Sequence, residues 1–388
     1  MTYVGIDISK YKHDCFIQNS LGEVLHTGFS FTNDLVGFAV LEQELACFDK
    51  EDLRIGFEAT GHYTQNLMAF LECKGYTFME LQPSLVAKYI AGKTLRRTKT
   101  DKLDARMIAG YMDTVAYRPY PQGAQRLYAL KSLTRFRLGL VRRRSEYMVL
   151  LTNVLDRAFP EFKPFFGNKF SVTAFYILAN YPSPQHIANM NSRSFDVLRR
   201  KSRGKFSMDK FVKLKALAKN TVGNWNEELA LEWQMLLELY SELDAKIDEI
   251  EAEITRIIVD MDPPTLSIKG IGPLSAAVIV SEFGDFSRFS NPNKMLKFAG
   301  LEPGYFQSGT WEHKGHMVKR GSSPLRAALM NLCNPMLLHN EVFATYYYKK
   351  TSEGKPYRVA QSHMVKKLIR LIWTLETRGE KFNPELQH

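Results

Sequence analysis

Four acids are spaced as a cation site acting on phosphates would need them. Asp7 stands in "GIDIS" between Ile6 and Ile8, Glu58 closes "IGFE", and Asp101 and Asp104 open "DKLDA" three residues apart. Positions three apart on a helix share a face, so both Asp side chains project together. A carboxylate inside a β-branched strand is costly unless it is paired or bound to metal. Clustered carboxylates also repel one another until a cation compensates them. Hard oxygen donors select Mg2+ or Mn2+. Such ions, about 3.5–4 Å apart when paired, stabilise the entering and leaving oxygens of an in-line displacement at phosphorus. Taken alone, Asp101 and Asp104 also fit the acids favoured by a helix N-terminus, an explanation that Asp7 does not share.

The formal charge of +11 indicates a polyanionic partner, because neutralising phosphates releases counterions. The basic residues are clustered in "KTLRRTK", "RFRLGLVRRR", "RRKSRGK" and "HMVKRGSSPLR". Lys93, Arg96, Arg97 and Lys99 precede the Asp101/Asp104 pair and could follow the backbone carrying the scissile phosphate. Lys314, Lys319, Arg320 and Arg326 form a second set suited to DNA or RNA. His313 and His316 lack a third ligand and suit phosphate or solvent better than metal. His62 could donate a proton or cap a helix, and Tyr346 to Tyr348 could stack on unpaired bases or line a core. Cys15, Cys47, Cys73 and Cys333 are scattered singly and read as reduced core thiols. No stretch approaches the roughly 20 apolar residues of a membrane span, so a cytoplasmic protein without membrane partners is expected.

Positioning these residues requires particular elements. "TYVGIDISKYKHDCFIQ" and "GEVLHTGFSF" alternate as a strand meander. "NDLVGFAVLEQELACF" follows as a helix with an Asn cap, then "LRIGFEAT" as a strand, "HYTQNLMAFLECKGY" as a helix and "TFMELQP" as a strand. A helix starting near Thr100 closes the set. This order predicts an α/β ribonuclease-H-like domain over residues 1–118. Residues 119–262 read as a helical coiled-coil region with an insertion at about 159–225. Its seam comprises Leu229, Trp233, Leu236, Tyr240, Leu243, Ile247, Ile250, Ile254, Ile257 and Met261. Leu133, Leu140, Tyr147, Leu151 and Leu155 could pair with it in the same chain, or each seam could meet a second protomer. Residues 263–388 form a mainly helical C-terminal domain. There "KGIGP" is a turn between helices, Pro303 and Gly304 open a loop, Ser323 caps a helix, and the tail is basic and helical.

With these motifs in place, the chain resembles the DEDD transposases of insertion sequences, the IS-one-ten class, whose N-terminal domain is similar to the Holliday-junction resolvase RuvC. "GIDISK", "FEATGHY" and "TDKLDA" carry the N-terminal resemblance. "IKGIGPLSAAVIVSEFGD", "FAGLEP", "FQSG" and "KRGSSPLR" carry it through a C-terminal transposase domain. The resemblance implies that Asp7, Glu58, Asp101 and Asp104 bind Mg2+ or Mn2+, and that Ser308 attaches covalently to DNA. It also implies a structured guide RNA pairing with donor and target DNA, and a homodimer or homotetramer. Many relatives carry two serines and two glycines where this chain has "QSGT", which leaves Ser322 and Ser323 as rivals to Ser308.

The expected function is therefore a DNA recombinase that cuts and rejoins strands by metal-assisted transesterification. A nuclease using water on branched or hybrid duplexes is one alternative, and a non-catalytic nucleic-acid-binding protein is another. The sequence has no GxxxxGK[ST] phosphate loop, in keeping with chemistry that needs no nucleotide triphosphate.

Overall fold

The computed structural model describes the chain except Thr60, His62, residues 94–100, 121–123, Lys169, 309–310 and 386–388, and only the backbone of 101–102, 124 and 303–316. The chain divides into two compact units, residues 1–131 with 262–388, and residues 132–261.

Strands β1 (Thr2–Ile8), β2 (Lys12–Asn19) and β3 (Val24–Thr32) form the expected antiparallel meander. Strands β4 (Leu53–Glu58) and β5 (Phe78–Leu81) extend the sheet in parallel from the other side of β1, giving the order β3-β2-β1-β4-β5. The intervening helices are α1 (Leu35–Leu45), α2 (Thr64–Cys73), α3 (Pro83–Lys93) and α4 (Asp101–Asp113). Helix α3 is an addition to the sequence reading, which ran from β5 directly to the basic segment. The α1 cap is Asp34, not Asn33: the Asp34 carboxylate accepts from the Gly37 amide at 2.8 Å.

Alternation along β1 sorts its side chains. Val4, Ile6 and Ile8 turn one way and are buried with Leu41 and Leu45 of α1 and Leu67 and Leu71 of α2. Burying each such side chain contributes about 1.5–3 kcal/mol. Tyr3, Gly5 and Asp7 take the other face, which α4 covers. Two glycines permit that cover. A Cβ at Gly5 would stand 2.3 Å from the Ala105 carbonyl oxygen, and one at Gly56 would stand 2.0 Å from the Met112 sulfur.

Helix α5 (Ala124–Ala158) leads into the second unit, which continues with α6 (Phe162–Phe166), α7 (Val172–Asn180), α8 (Pro184–Ala188), α9 (Ser192–Lys201), α10 (Met208–Lys219) and α11 (Glu227–Met261). Helices α5 and α11 run antiparallel within the chain, joined by Arg137–Glu251, Arg144–Asp244 and Arg157–Glu232 ion pairs. Along α11, Leu229, Trp233, Leu236, Ile247 and Ile254 are buried, while Tyr240, Leu243, Ile250, Ile257 and Met261 are half-buried. The short helices α6 to α10 enclose a separate aromatic-rich core around Phe159, Phe162, Phe206 and Trp233.

The first unit resumes with a 3-10 turn (Pro264–Ser267), where the sequence suggested a full helix before "KGIGP". There follow α12 (Pro273–Phe283), α13 (Pro292–Phe298), β6 (Pro303–Ser308), β7 (Trp311–Met317), α14 (Ser323–Asn331), α15 (Cys333–His339), α16 (Glu341–Ser352) and α17 (Tyr357–Arg378). Residues expected to form a loop after Pro303 are thus an antiparallel hairpin. Gly304 and the Pro303 ring suggested irregular chain, yet the alternation of "YFQS" and "TWEHKGHM" suits paired strands. Helix α14 is capped by Ser322, whose hydroxyl accepts from the Leu325 amide at 3.2 Å, and Ser323 begins the helix. All four cysteines are free; Cys15 and Cys333 are buried as expected, but Cys47 and Cys73 are exposed. Among the described residues no helix is long and apolar enough to cross a membrane.

Candidate active site

The register of the sheet brings the first two acids together. Ile6 pairs with Phe57 across parallel strands, so the next residues, Asp7 and Glu58, end neighbouring strands side by side. Gly5 pairs with Gly56, which puts Arg54, Gly56 and Glu58 on the same face as Tyr3, Gly5 and Asp7. Both acids are half-buried. They stand at the C-terminal ends of parallel strands, the edge where open α/β sheets gather their ligands.

The N-terminal turn of α4, which holds Asp101 and Asp104, is directed towards that edge. The Tyr3 hydroxyl bonds the Asp113 carboxylate; burial first, then this charge and hydrogen bond, raise the Tyr3 pKa. Ala105 and Ala109 lie over Gly5. The helix therefore descends as β1 ascends, with its N-terminus towards Asp7. Two strand residues advance about 6.6 Å, and the helix covers about 7 Å between the Ala105–Ala109 contact and its first turn. Asp101 is the first residue of α4, one turn before buried Ala105, and its side chain lies outside the described residues. Half-buried Asp104 lies one turn before buried Ile108, on the flank of the sheet-facing stripe.

A further acid at this edge escaped the sequence reading. Asp14 pairs directly with Asp7 across β1 and β2 and is only 2% exposed. The Ser30 hydroxyl donates to its carboxylate at 2.6 Å, and the Lys12 ammonium lies 3.1 Å from its other oxygen. The available signal was "KHDCF", an acid in a strand two places from a lysine. Like charges directly opposed across strands destabilise a sheet, so Lys12 and Ser30 offset a cost set by the Asp7–Asp14 register.

An all-carboxylate set of donors fits a hard divalent cation. Among the described residues, no three His, Cys, Asp or Glu side chains are drawn together around a cation-sized space. Asp101, as the fourth donor, stands outside that set.

The other expected site residues are distributed over separate elements. Ser308 ends β6 opposite Trp311, and Lys314 pairs with Tyr305; both side chains lie outside the described residues, as do those of His313 and His316. Arg96, Arg97, Lys99 and His62 fall wholly outside them. Lys93 is exposed in the last turn of α3, its ammonium 5.5 Å from the Tyr89 ring centre. Lys319 and Arg320 are exposed between β7 and α14. The Arg326 guanidinium donates to the carbonyls of Ala299 and Lys319 at 3.3 and 3.4 Å, so it braces the turns around it. Ser322, besides capping α14, donates at 2.9 Å to Glu282, which is 2% exposed; its hydroxyl is committed to packing.

Comparison with known proteins gives two family matches along the chain. A transposase model of the DEDD, IS110 type matches residues 4–160, and a model for the transposase IS116/IS110/IS902 family matches residues 265–348. The chain is 21% identical over 388 residues to the insertion element IS116 uncharacterized 44.8 kDa protein of Streptomyces clavuligerus, covering 98% of this chain and 96% of that one. It is 23% identical over 395 positions to the mini-circle putative transposase for IS117 of Streptomyces coelicolor, covering 97% and 94%. A shorter stretch, 28% of this chain and 34% of the other, is 32% identical over 113 residues to the pilin gene-inverting protein of Moraxella lacunata.

Proposed function

Because this chain belongs to the IS110/IS116 family of transposases, we propose that it cuts and rejoins DNA through Ser308, assisted by metal held on Asp7, Glu58, Asp101 and Asp104. The observation that carries this reading is the adjacency of Asp7 and Glu58 at the ends of parallel strands, beneath the helix that begins with Asp101. We read the sheet, with its antiparallel meander and parallel extension, as ribonuclease-H-like, and the α5–α11 pair as an intramolecular coiled coil.

In this reading, the Ser308 Oγ attacks the scissile phosphorus and loses its proton. The bond from phosphorus to the deoxyribose oxygen breaks, and that oxygen leaves as a hydroxyl after taking up a proton. A phosphoserine diester keeps the energy of the broken linkage, and attack on it by a hydroxyl of another strand reseals DNA and frees the serine. Bound Mg2+ or Mn2+ would supply charge stabilisation at the pentavalent phosphorus and would favour the ionised serine. Asp7 and Glu58, fixed by strand register, and Asp101 and Asp104, fixed by α4, would set where that charge sits. Lys93, Arg96, Arg97, Lys99, Lys314, Lys319 and Arg320 would neutralise the DNA or RNA backbone. A structured guide RNA and a dimer or tetramer, in which one subunit's acids meet another's serine, belong to the same proposal.

The test is a strand-cleavage reaction on a nicked DNA substrate that traps the covalent adduct, run with the cognate RNA and Mg2+. Wild-type protein should yield a protease-sensitive protein–DNA band, and Ser308→Ala and Asp7→Asn should each abolish it. Cleavage by Ser308→Ala with release of free ends would reject the serine mechanism and favour a hydrolytic nuclease.

A further inference from the structure

The basic tail carries an aromatic surface far in sequence from the carboxylates of β1, β4 and α4. On α16, the Tyr347 ring stands edge-on to Tyr348 at 5.7 Å and to Tyr357, at the start of α17, at 6.5 Å. Tyr348 is 66% exposed and Tyr357 50%, so these rings do not form a core stripe. Tyr346, by contrast, is used internally: the ammonium groups of Lys350 and Lys367 lie 5.6 and 5.1 Å from its ring centre. Tyr357 is held in place by Gln361, a buried side chain that donates to its hydroxyl at 2.8 Å.

Charge surrounds these rings. Residues 341–370 hold seven Lys and Arg against two Glu, and one of the two, Glu353, is paired with Lys350 at 2.8 Å. Lys349, Lys355 and Arg358 are exposed beside the tyrosines, with the Arg358 guanidinium 5.9 Å from the Tyr357 ring centre. The same accumulation is felt by His363, whose pKa is lowered first by burial and then by Lys366, Lys350 and Lys355.

We propose that Tyr348 and Tyr357 form a stacking platform for an unpaired DNA strand, with Lys349, Lys355 and Arg358 on its phosphates. Exposed aromatic rings among cations suit a ligand that offers both π-faces and negative charge. A duplex already stacks its bases on one another and offers phosphates and groove edges rather than open base faces. Strand cutting and exchange by a transposase, in contrast, exposes bases that need a surface. The site is remote in sequence from every residue assigned to the chemistry and acts without metal.

Fluorescence anisotropy in EDTA on the full chain tests this, using a thymidine DNA strand of roughly 15 nucleotides, the matching RNA strand and a DNA duplex. Tyr348→Ala and Tyr357→Ala should each weaken DNA-strand binding about tenfold or more while changing duplex binding less than about twofold. Tyr348→Phe and Tyr357→Phe should restore the strand affinity, because the ring and not the hydroxyl does the stacking. Equal losses on strand and duplex, no loss on either, or binding of the RNA strand alone would each overturn the proposal. Because no metal is present, a negative result here leaves the serine chemistry standing, and the reverse also holds.

Discussion

Replacing Gly5 by Ala should move the helix that carries two of the four acids. The added Cβ would lie 2.3 Å from the Ala105 carbonyl oxygen and 2.4 Å from the Ala109 nitrogen. Both are backbone atoms of α4, so no rotamer change relieves the clash. Extending 2.3 Å to the 3.4 Å of ordinary contact requires α4 to withdraw by about 1.1 Å. Overpacking of this kind costs about 1–3 kcal/mol of stability. A misplacement of about 1 Å in groups that position a reaction costs about 10²-fold in rate. Gly56→Ala provides the contrast. Its Cβ would meet the Met112 sulfur at 2.0 Å, but a thioether side chain can turn aside and leave α4 in place. Urea unfolding of both variants and the initial rate of covalent adduct formation measure the two effects. Gly5→Ala should lose both stability and rate, and Gly56→Ala should lose less of each. A Gly5→Ala protein with wild-type midpoint and rate would refute the close approach of α4 to β1 as the device that sets the site.

The Asp14 network predicts that Lys12→Ala destabilises the protein, because it leaves a buried carboxylate facing Asp7 with the Ser30 hydroxyl as its remaining partner among the described residues. Lys12 is about half exposed, so the loss should fall near the lower end of about 1–3 kcal/mol, and a denaturation midpoint equal to wild type would count against it. His13 is fully buried, and burial lowers its pKa against the opposing pull of Asn33 and Asp14. The unfolded chain then takes up the proton first, so this contribution is present above about pH 6.5 and is lost as pH falls towards the lowered folded value. His13→Phe should flatten the stability profile between about pH 7 and about pH 5, and an unchanged slope would reject the assignment. Ile254→Ala in α11 should cost about 2–5 kcal/mol by opening a cavity, whereas Val259→Ala, at a 53% exposed position, should stay within about 0.5 kcal/mol. If the acids bind Mg2+, thermal melting should rise with added Mg2+, by about 2.7 kcal/mol at a hundredfold excess over Kd. Asp7→Asn should abolish that rise, and an equal rise in both proteins would place the ion elsewhere.

The sheet was legible because its strands obey simple rules. Asp7 stands out since Ile6 and Ile8 turn to the buried face while it turns with Gly5 to the other, a separation that alternation alone predicts. The meander was visible for the same reason, and "LRIGFEAT" was visible as a short apolar run, in keeping with the buried β4. Helix α3 was missed because Pro83 after "LQ" resembles the end of a strand, although proline is favoured in a first helical turn. The β6–β7 hairpin was obscured by Pro303 and Gly304, which carry loop signals while sitting at a strand start where proline is tolerated. Asp14 was only partly legible: "KHDCF" shows an acid in a strand near a lysine, but its importance arises from pairing opposite Asp7, and register between strands is a tertiary fact. The antiparallel course of α5 and α11 likewise became evident only through their ion pairs, since both seams suit a partner in the same chain or in another.

The like charges on this edge set the energetic demand that a cation would meet. Asp14 is compensated by Lys12 and Ser30, and the mutual repulsion among Asp7, Glu58 and the acids in the first turn of α4 is the part that our proposal assigns to a cation. The N-terminal end of α4 offsets some of it, because a helix dipole favours nearby acids by about 0.3–1 kcal/mol each. That contribution fades beyond the first turn and cannot follow a charge that changes during reaction. A divalent ion can do so, since it interacts with several carboxylates and with a phosphate oxygen at once. In our proposal the Gly5 contact therefore has a functional reason: it fixes the distance between strand acids and helix acids by a backbone stop, leaving cation and phosphate as the variable partners.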